Sequence, residues 1–388
     1  MASKRTVLIV NLVLSLFFLM NATAITTGLT LYPSLWRYVL LAAVLGNLLW
    51  LLVPLIFKRH SSSFFRVSRA ILAPFWVLWN FFIFLYTILI LSLGALWLVT
   101  FKWGGTPFPL FVRYPSDVFF GIITFICLVG LIQCLFFVKL ERVPVRIPNL
   151  PVEFVGFKIA MVSDLHVGHF TRLSRLRQFS RVAREAQPDL FFVCGDITDD
   201  DPHYLRKFLL GLDPLDPSLP LVGVLGNHDV YADPEKTLRM LKHTHVRMLV
   251  NEGFEIKRGK ASLWIAGVGD QGARRFGKWG SVAPDFDKAL AGKPQNAVTI
   301  LMAHQPQGFL ESAKRGVELT LSGHTHGGQF GFKSLKWSLA KLFLRFHMGL
   351  FQQGKSQLYV TPGTGYWGLP VRFGLSPEVT LIELRPSA

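Results

Sequence analysis

Four apolar stretches occupy most of the first 138 residues, and they constrain the fold more than any other feature. Each has at least 20 residues and no charged side chain: Val7–Leu29, Tyr38–Phe57, Ala70–Phe101 and Val118–Val138. A helix of about 20 apolar residues crosses the ~30 Å hydrocarbon core of a bilayer. Burying all four in a soluble domain would need a larger polar shell than this region has. The sequence therefore predicts about four transmembrane helices, at roughly 7–29, 38–57, 77–99 and 118–138.

The loops between these stretches differ in positive charge. Basic residues precede the first stretch, separate the second from the third, and follow the fourth: Lys4, Arg5, Lys58, Arg59, Arg66, Arg69, Lys139, Arg142 and Arg146. The positive-inside bias then predicts a multi-pass protein of the inner or plasma membrane, with everything after Val138 in the cytoplasm. Ala22-Thr23-Ala24 resembles a signal-peptidase site, but an uncleaved first helix is the favoured interpretation.

The composition agrees with a membrane component, because 51% of the residues are hydrophobic and only 17% are charged. The formal net charge is +17, yet the basic residues of the first part flank apolar runs and form no stripe. Nucleic acid is therefore not expected as a partner. The three cysteines include no CxxC pair and predict no disulfide framework.

The pattern changes after residue 142. Pro144, Pro148 and Pro151 predict an extended linker over 143–152, and a globular pattern follows over 153–388. Short apolar strands alternate there with amphipathic segments such as Arg172–Glu185 and Pro234–Lys242. The predicted strands are Lys158–Ser163, Leu190–Cys194, Leu221–Leu225, Trp264–Val268, Val298–Ala303, Glu318–Ser322, Leu358–Thr361 and Val379–Leu384. This alternation predicts an α/β or α+β domain with its core in sheets.

Five of these strands are followed immediately by polar residues of types that can bind metals. They are Asp164 and His166, Asp196, Asn227 and His228, His304, and finally His324 and His326. Open α/β sheets place their ligand sites at the carboxyl ends of strands. Each fragment alone is weak, since Gly-Asn-His-Asp also suits a turn and a lone histidine is usually structural. The five together, each after an apolar strand, indicate one site.

The residue types indicate which metals this site would bind. Aspartate, asparagine and histidine without cysteine suit Mn, Fe or Zn. Seven such groups are too many for one tetrahedral ion and about right for two ions that share a carboxylate. Two divalent ions ~3.5–4 Å apart can clamp a phosphate and activate a water for in-line attack.

The order of these motifs resembles the calcineurin-like metallophosphoesterase superfamily. The matching set is Asp-x-His, Gly-Asp-x-x-Asp, Gly-Asn-His-Asp, His and Gly-His-x-His. LSGHTHGGQ, the AHQP around His304 and the tail YVTPGTGYWGLPVRFG resemble a membrane-associated branch, which includes transmembrane proteins with a metallophosphoesterase domain and related bacterial phosphodiesterases. The resemblance covers roughly residues 150–385. It implies a metallophosphoesterase sandwich of two central sheets flanked by helices, and a phosphoester substrate.

The resemblance also implies a role for each residue. One metal would be held by Asp164, His166 and His326. The other would be held by Asn227, His304 and His324, and Asp196 would bridge the two. His228 would lie near the leaving-group oxygen as an acid or stabiliser, oriented by Asp229, because a carboxylate can fix the tautomer of a positioned imidazole. Asp199 is predicted to be a supporting residue or a turn former.

Two features favour a membrane substrate. The linker is short, and Lys333–Phe351 reads as an amphipathic helix with Leu339, Leu342, Phe343 and Phe346 on one side. That helix would lie in the bilayer interface or pack on the domain's own core. The leading hypothesis is a membrane-anchored phosphoesterase for a phosphodiester or pyrophosphate, with phospholipids and nucleotide-linked lipids among the candidates. The alternatives are a tethered enzyme for soluble substrates and a non-catalytic membrane sensor.

Overall fold

The computed structural model describes residues 85–100, 107–199, 201–275 and 279–387. The first two predicted membrane spans, 7–29 and 38–57, lie outside these residues. Helix α1 (Leu85–Thr100) overlaps the third predicted span, and helix α2 (Phe108–Phe136) overlaps the fourth. Among the described residues, α2 is the one helix long and apolar enough to cross a membrane. The four-helix bundle therefore stays a prediction.

The domain that follows contains two six-stranded sheets within the described residues. The first has the order β1 (Lys139–Ile147), β14 (Glu378–Pro386), β2 (Lys158–Val162), β3 (Leu190–Cys194), β4 (Leu221–Val224), β5 (Val246–Met248). The second has the order β12 (Gly349–Gln353), β13 (Ser356–Val360), β9 (Leu319–Ser322), β8 (Val298–Met302), β7 (Ala261–Gly267), β6 (Glu252–Arg258). Strands β2 to β5 run parallel, as do β7, β8, β9 and β13.

The main core lies between the two sheets. It joins side chains of the first sheet, such as Ile159 and Phe192, to side chains of the second, such as Leu263 and Ile300. All five residues of β3 are buried, because a central parallel strand is covered on both faces. The sandwich of two sheets that the resemblance implied is thus present, and all eight predicted strands occur within three residues of their predicted ends.

Short helices cover the outer faces. They are α3 (Leu173–Glu185), α4 (Leu205–Gly211), α5 (Asn227–Ala232), α6 (Pro234–Leu241), α7 (Gly272–Arg275), α8 (Phe286–Leu290) and α9 (Phe309–Lys314). Helix α3 confirms the predicted amphipathic segment, since Leu176, Phe179 and Ala183 are buried at helical spacing. Helix α6 confirms the second such segment.

The predicted linker differs from the structure. Residues 139–147 form the edge strand β1, which pairs in parallel with β14 from Lys139 opposite Glu378 to Ile147 opposite Pro386. Pro144 is tolerated there because an edge strand has one side without a sheet partner. Only two residues, Phe137 and Val138, separate β1 from the end of α2.

The predicted amphipathic helix at Lys333–Phe351 is wrong. This segment forms 3₁₀ turns, the strand β11 (Trp337–Ser338), which pairs with β10 (Gly331–Phe332), and the start of β12. Lys336 adopts a left-handed φ of 47°, which interrupts a helix. The predicted apolar face is divided, because Phe343 is 82% exposed whereas Phe346 is buried against Phe309. Tertiary contacts at Phe309 therefore override the apolar spacing of this segment.

Candidate active site

Six of the seven predicted metal ligands form two clusters at the strand ends. Asp164, His166 and His326 form one, and Asp196, His304 and His324 form the other. Within each cluster the candidate ligand atoms lie within 4.8 Å of one another. Asp196 connects the two, because its Oδ2 lies 3.1 Å from His304 Nε2 and 3.6 Å from His166 Nε2. The seventh residue, Asn227, is buried at the start of α5.

The backbone holds five of these residues in an unusual conformation. A left-handed φ costs a residue other than glycine on the order of 1–3 kcal/mol, and such residues concentrate at functional sites. The five with positive φ are Asp164 (55°), His166 (44°), Asp196 (50°), His324 (71°) and His326 (50°). The surrounding fold therefore maintains the side-chain directions of both clusters against a local cost.

Close backbone packing adds to this constraint. A Cβ atom on Gly226 would overlap Oδ1 of Asp196, and one on Gly323 would overlap Oδ2 of Asp164. Glycine is thus required beside both buried carboxylates for steric reasons.

The site concentrates buried negative charge. Asp164, Asp196 and Asp229 are each at most 2% exposed. In the described part of the chain, no lysine or arginine forms an ion pair with any of them. Burial raises the pKa of Asp164, whereas for Asp196 burial is outweighed by His304 and His166, which lower its pKa. Buried carboxylates of this kind need cationic partners or metal ions.

The two histidines of the Gly-His-Thr-His turn are neutral at pH 7. Burial and the neighbouring His304 lower the pKa of His324 to about 4. Burial and the neighbouring His166 keep the pKa of His326 well below its usual range. A neutral imidazole keeps one nitrogen lone pair that can bind a cation.

Two buried polar atoms test whether these residues fit a metal. Among the described residues of the predicted ligand set, Nε2 of His304 and Oδ1 of Asn227 face the site without a hydrogen-bond partner. Nδ1 of His304 lies 2.7 Å from the carbonyl oxygen of Cys194, so Nδ1 is the hydrogen-bond donor. The other ring nitrogen, Nε2, points towards Asp196. Nε2 of His166 and Nε2 of His326 approach to 3.1 Å, an arrangement that a shared cation would satisfy. The donor set therefore fits divalent metals.

His228 differs from His166, a predicted metal ligand, in its exposure. Its side chain is 22% exposed, compared with 3% for His166. Its backbone N–H donates to Oδ1 of Asp196 at 2.8 Å, which places the imidazole beside both clusters. Burial lowers its pKa, but the hydrogen bond to Asp199 and the charge of Asp196 outweigh burial and raise the pKa to about 9. His228 can therefore reach a substrate and donate a proton to it.

The orienting contact predicted for Asp229 is made by Asp199. Nδ1 of His228 lies 2.9 Å from the carbonyl oxygen of Asp199 and 3.4 Å from its Oδ1, and that Oδ1 also lies 3.2 Å from Nδ1 of His166. Asp229 instead accepts hydrogen bonds from the backbone N–H groups of Ile197, Thr198 and Gly226. The second aspartate of Gly-Asp-x-x-Asp was the sequence signal for this role.

Sequence reasoning missed residues that surround the two clusters. Asp270 is buried, and its pKa is raised by burial to about 6. Tyr231 and Trp367 place their rings near His228, with centroid distances of 5.7 and 6.2 Å. Aromatic residues at such positions give no pattern that separates them from ordinary core residues.

Comparison with known proteins identifies a family. Residues 157–328 match the family described as calcineurin-like phosphoesterase. An uncharacterized metallophosphoesterase of Helicobacter pylori is 33% identical over 251 residues, which cover 64% of this chain and 64% of that protein. An uncharacterized metallophosphoesterase of Aquifex aeolicus is 30% identical over 251 residues, which cover 64% of this chain and 93% of that protein.

A vertebrate relative is also similar. The "transmembrane protein with metallophosphoesterase domain" of Danio rerio is 32% identical over 254 residues, which cover 64% of this chain and 57% of that protein. The chain thus spans less than two thirds of the length of the Helicobacter and Danio relatives. The aligned portions support the domain and its family, and the activity of the whole protein is a proposal.

Proposed function

The chain belongs to the calcineurin-like phosphoesterase family, and on that premise we propose that it is a membrane-anchored metal-dependent hydrolase of a phosphodiester or pyrophosphate bond. The observation that carries the proposal is the pair of ligand clusters that Asp196 connects, with the partly exposed His228 beside them. A site of this kind can bind a phosphate and supply a proton to the group that leaves it.

Asp164, His166 and His326 would hold one divalent cation, and Asn227, His304 and His324 would hold the other, with Asp196 between them. Manganese, iron and zinc suit these ligands. When bound, two such cations clamp a phosphate and activate a water for in-line attack.

His228 would donate a proton to the oxygen of the leaving group. Asp199 would keep its ring oriented by facing Nδ1 and would stabilise its charged form. The same carboxylate would fix the ring of His166, so one side chain would align the proton donor with the metal ligands. A positioned acid of this kind contributes typically 10²–10⁴-fold to the rate.

The proposed substrate is borne by a membrane, as a lipid phosphoester or nucleotide-linked lipid is. Support comes from the direct connection of the apolar helix α2 to the first strand of the domain. A short connection keeps the site near the bilayer surface. The domain would face the cytoplasm, and a reporter fused after Ala388 tests that orientation; an extracytoplasmic signal would contradict it.

A tethered enzyme for soluble substrates is the second candidate. A metal-binding sensor is less well supported, because a sensor that only binds metal has no use for a partly exposed proton donor such as His228.

Purified full-length protein, supplied with manganese, would be assayed against phospholipids, nucleotides and bis(p-nitrophenyl) phosphate. We expect Asp196→Asn to lower both metal content and activity. His228→Ala should keep the metal and lose about 10²–10⁴-fold in turnover. His243→Ala, which changes an exposed histidine outside the site, is the matched control. Full activity in the Asp196 or His228 variant would contradict the assigned roles.

A further inference from the structure

The connection between β13 and β14, residues 361–377, lies against the metal-ligand clusters. The N–H of Thr364 donates to the carbonyl of Ser163 at 2.8 Å, and the N–H of Gly365 donates to that of Asp164 at 3.1 Å. A Cβ atom on Gly365 would overlap the carbonyl oxygens of Asp164 and Leu165. The first half of this loop is thus held directly against the strand end that carries a predicted metal ligand.

Trp367 extends this loop towards His228. Its backbone N–H donates to Oε1 of Gln329 at 2.9 Å, and Gln329 belongs to the same turn as His326. The Trp367 ring is 6.2 Å from that of His228, and the residue is 54% exposed. Tyr231, in the helix that begins at Asn227, is 5.7 Å from the same imidazole and 43% exposed. Accessible aromatic surface therefore adjoins the proposed proton donor.

The second half of the loop is fastened to the end of α2. The N–H of Arg372 donates to the carbonyl of Gly130 at 3.0 Å. The side chain of Gln133 donates to Ser376 Oγ at 2.9 Å and accepts from the N–H of Gly374 at 2.9 Å. Gly130 has no room for a side chain, because a Cβ atom would lie 2.7 Å from a methyl carbon of Val371.

Two arginines strengthen this arrangement. The guanidinium of Arg372 is fully buried and donates to the carbonyls of Pro362, Gly365 and Leu375, so it joins both halves of the loop. Arg175 of α3 donates to the carbonyls of Cys134 and Phe137 and satisfies carbonyls at the end of α2. Arg175 therefore binds protein backbone at the end of α2.

These contacts lie in the second half of the charge-free run of α2. The apolar helix from Leu110 to Phe136 has 27 residues, and its charge-free part, the predicted span 118–138, begins after Asp117. Gly130 and Gln133 belong to the second half of that run. The loop that carries Trp367 is therefore attached to the later turns of the predicted span.

We propose that Trp367 and Tyr231 form an apolar subsite beside His228 for the hydrocarbon part of the leaving group, and that Gln133 positions the loop that carries Trp367. This inference rests on the proposed function, because His228 marks the leaving-group side. The substrate class is then the phosphoester of an amphiphilic alcohol whose chain comes from the bilayer.

The geometry favours a chain over a flat base. The planes of the two rings are tilted by 50° and 68° from that of His228, so neither forms a parallel slot with the imidazole in which a base would stack. The loop is also attached to the apolar helix that is predicted to cross the membrane, and a chain from the bilayer would approach from that helix.

Binding of ethyl, butyl and hexyl phosphate tests the subsite without turnover. Calorimetry on the manganese-loaded full-length protein would give a dissociation constant for each. A fully buried methylene contributes about fourfold in affinity, so we expect roughly two- to fourfold tighter binding per added methylene. Trp367→Ala should remove most of this dependence and Trp367→Phe should keep part of it. Phe343→Ala, which removes an exposed aromatic residue elsewhere, should keep all of it.

Gln133→Ala tests the positioning role. We expect weaker binding of hexyl phosphate with unchanged binding of inorganic phosphate, because the metal clusters do not depend on Gln133. Gln133→Glu keeps an acceptor for Gly374 and should restore most of the affinity. Gln353→Ala on exposed β12 is the matched control. An equal loss for both phosphates, with a lower melting temperature, would show a general structural role and overturn the positioning proposal.

The outcomes separate the subsite from the proposed function. If inorganic phosphate binds but affinity is independent of chain length, or Trp367→Ala keeps that dependence, the subsite is wrong. Tighter binding of adenosine monophosphate than of hexyl phosphate would show that the subsite binds a nucleobase and not a hydrocarbon chain, and would overturn the proposal. The absence of both phosphate binding and hydrolysis of bis(p-nitrophenyl) phosphate would instead overturn the proposed function.

Discussion

Replacing Asp229 should lower the unfolding free energy of the domain more than replacing Asp199 does. Asp229 is fully buried and accepts hydrogen bonds from the N–H groups of Ile197, Thr198 and Gly226 at 3.0–3.1 Å. Asp229→Ala leaves these three donors without an acceptor. A buried unsatisfied group costs about 1–3 kcal/mol, so the variant should lose at least ~3 kcal/mol of unfolding free energy.

Asp199 provides the comparison. Its side chain is 37% exposed, and within the described residues its carboxylate faces the imidazoles of His166 and His228. Because these contacts raise the pKa of His228, Asp199→Ala should lower turnover and also cost some unfolding free energy. The cost should be smaller than for Asp229→Ala, since no described backbone N–H group loses its acceptor. Asp229→Asn keeps one acceptor oxygen and should fall between wild type and Asp229→Ala.

Thermal unfolding of the full-length protein measures the difference. For a domain of about this size, 1 kcal/mol corresponds to a shift of about 2–4 °C, so Asp229→Ala should melt roughly 6–12 °C lower. Hydrolysis of bis(p-nitrophenyl) phosphate would be followed in parallel. A melting temperature within about 2 °C of wild type for Asp229→Ala would refute the assignment of Asp229 to the backbone. So would equal destabilisation by Asp199→Ala.

Three further changes address the site and the corrected segment. Gly226→Ala should displace Asp196 and reduce metal content, whereas Gly280→Ala, where a Cβ atom meets nothing within 4 Å, should not; equal metal content in both would contradict the packing argument. Burial raises the pKa of Asp270 to about 6. In protein from which a chelator has removed metal, the contribution of Asp270 to stability therefore falls as pH rises from about 4 to 6. Asp270→Asn should remove that loss and melt higher than wild type at pH 7, because one amide oxygen can still accept from Gly272 and Gln305; an unchanged pH dependence of melting would contradict this. Phe346→Ala should cost about 3–5 kcal/mol and Phe343→Ala little, and equal melting temperatures would argue against their different burial.

The sequence alone determined the strands of the sandwich and the set of candidate ligands. Buried parallel strands are continuous apolar runs, and the residues that follow them meet at one edge of a sheet, so a local pattern locates both. The candidate ligands Asp164, Asp196 and Asn227 could be predicted because each lies within three residues of such a run. The spacing of Gly-Asp-x-x-Asp likewise marked Asp199.

Only the tertiary structure decided which of these residues touch. The choice between Asp199 and Asp229 as the partner of His228 depends on side-chain direction, which sequence spacing does not contain. The pairing of β1 with β14 and the contacts of Gln133 with Gly374 join residues more than 200 positions apart. The apolar spacing of 333–351 suits a helix, but burial of Phe346 against Phe309 favours another conformation. Local patterns report the periodicity of a segment, whereas such contacts depend on what the rest of the chain brings against it.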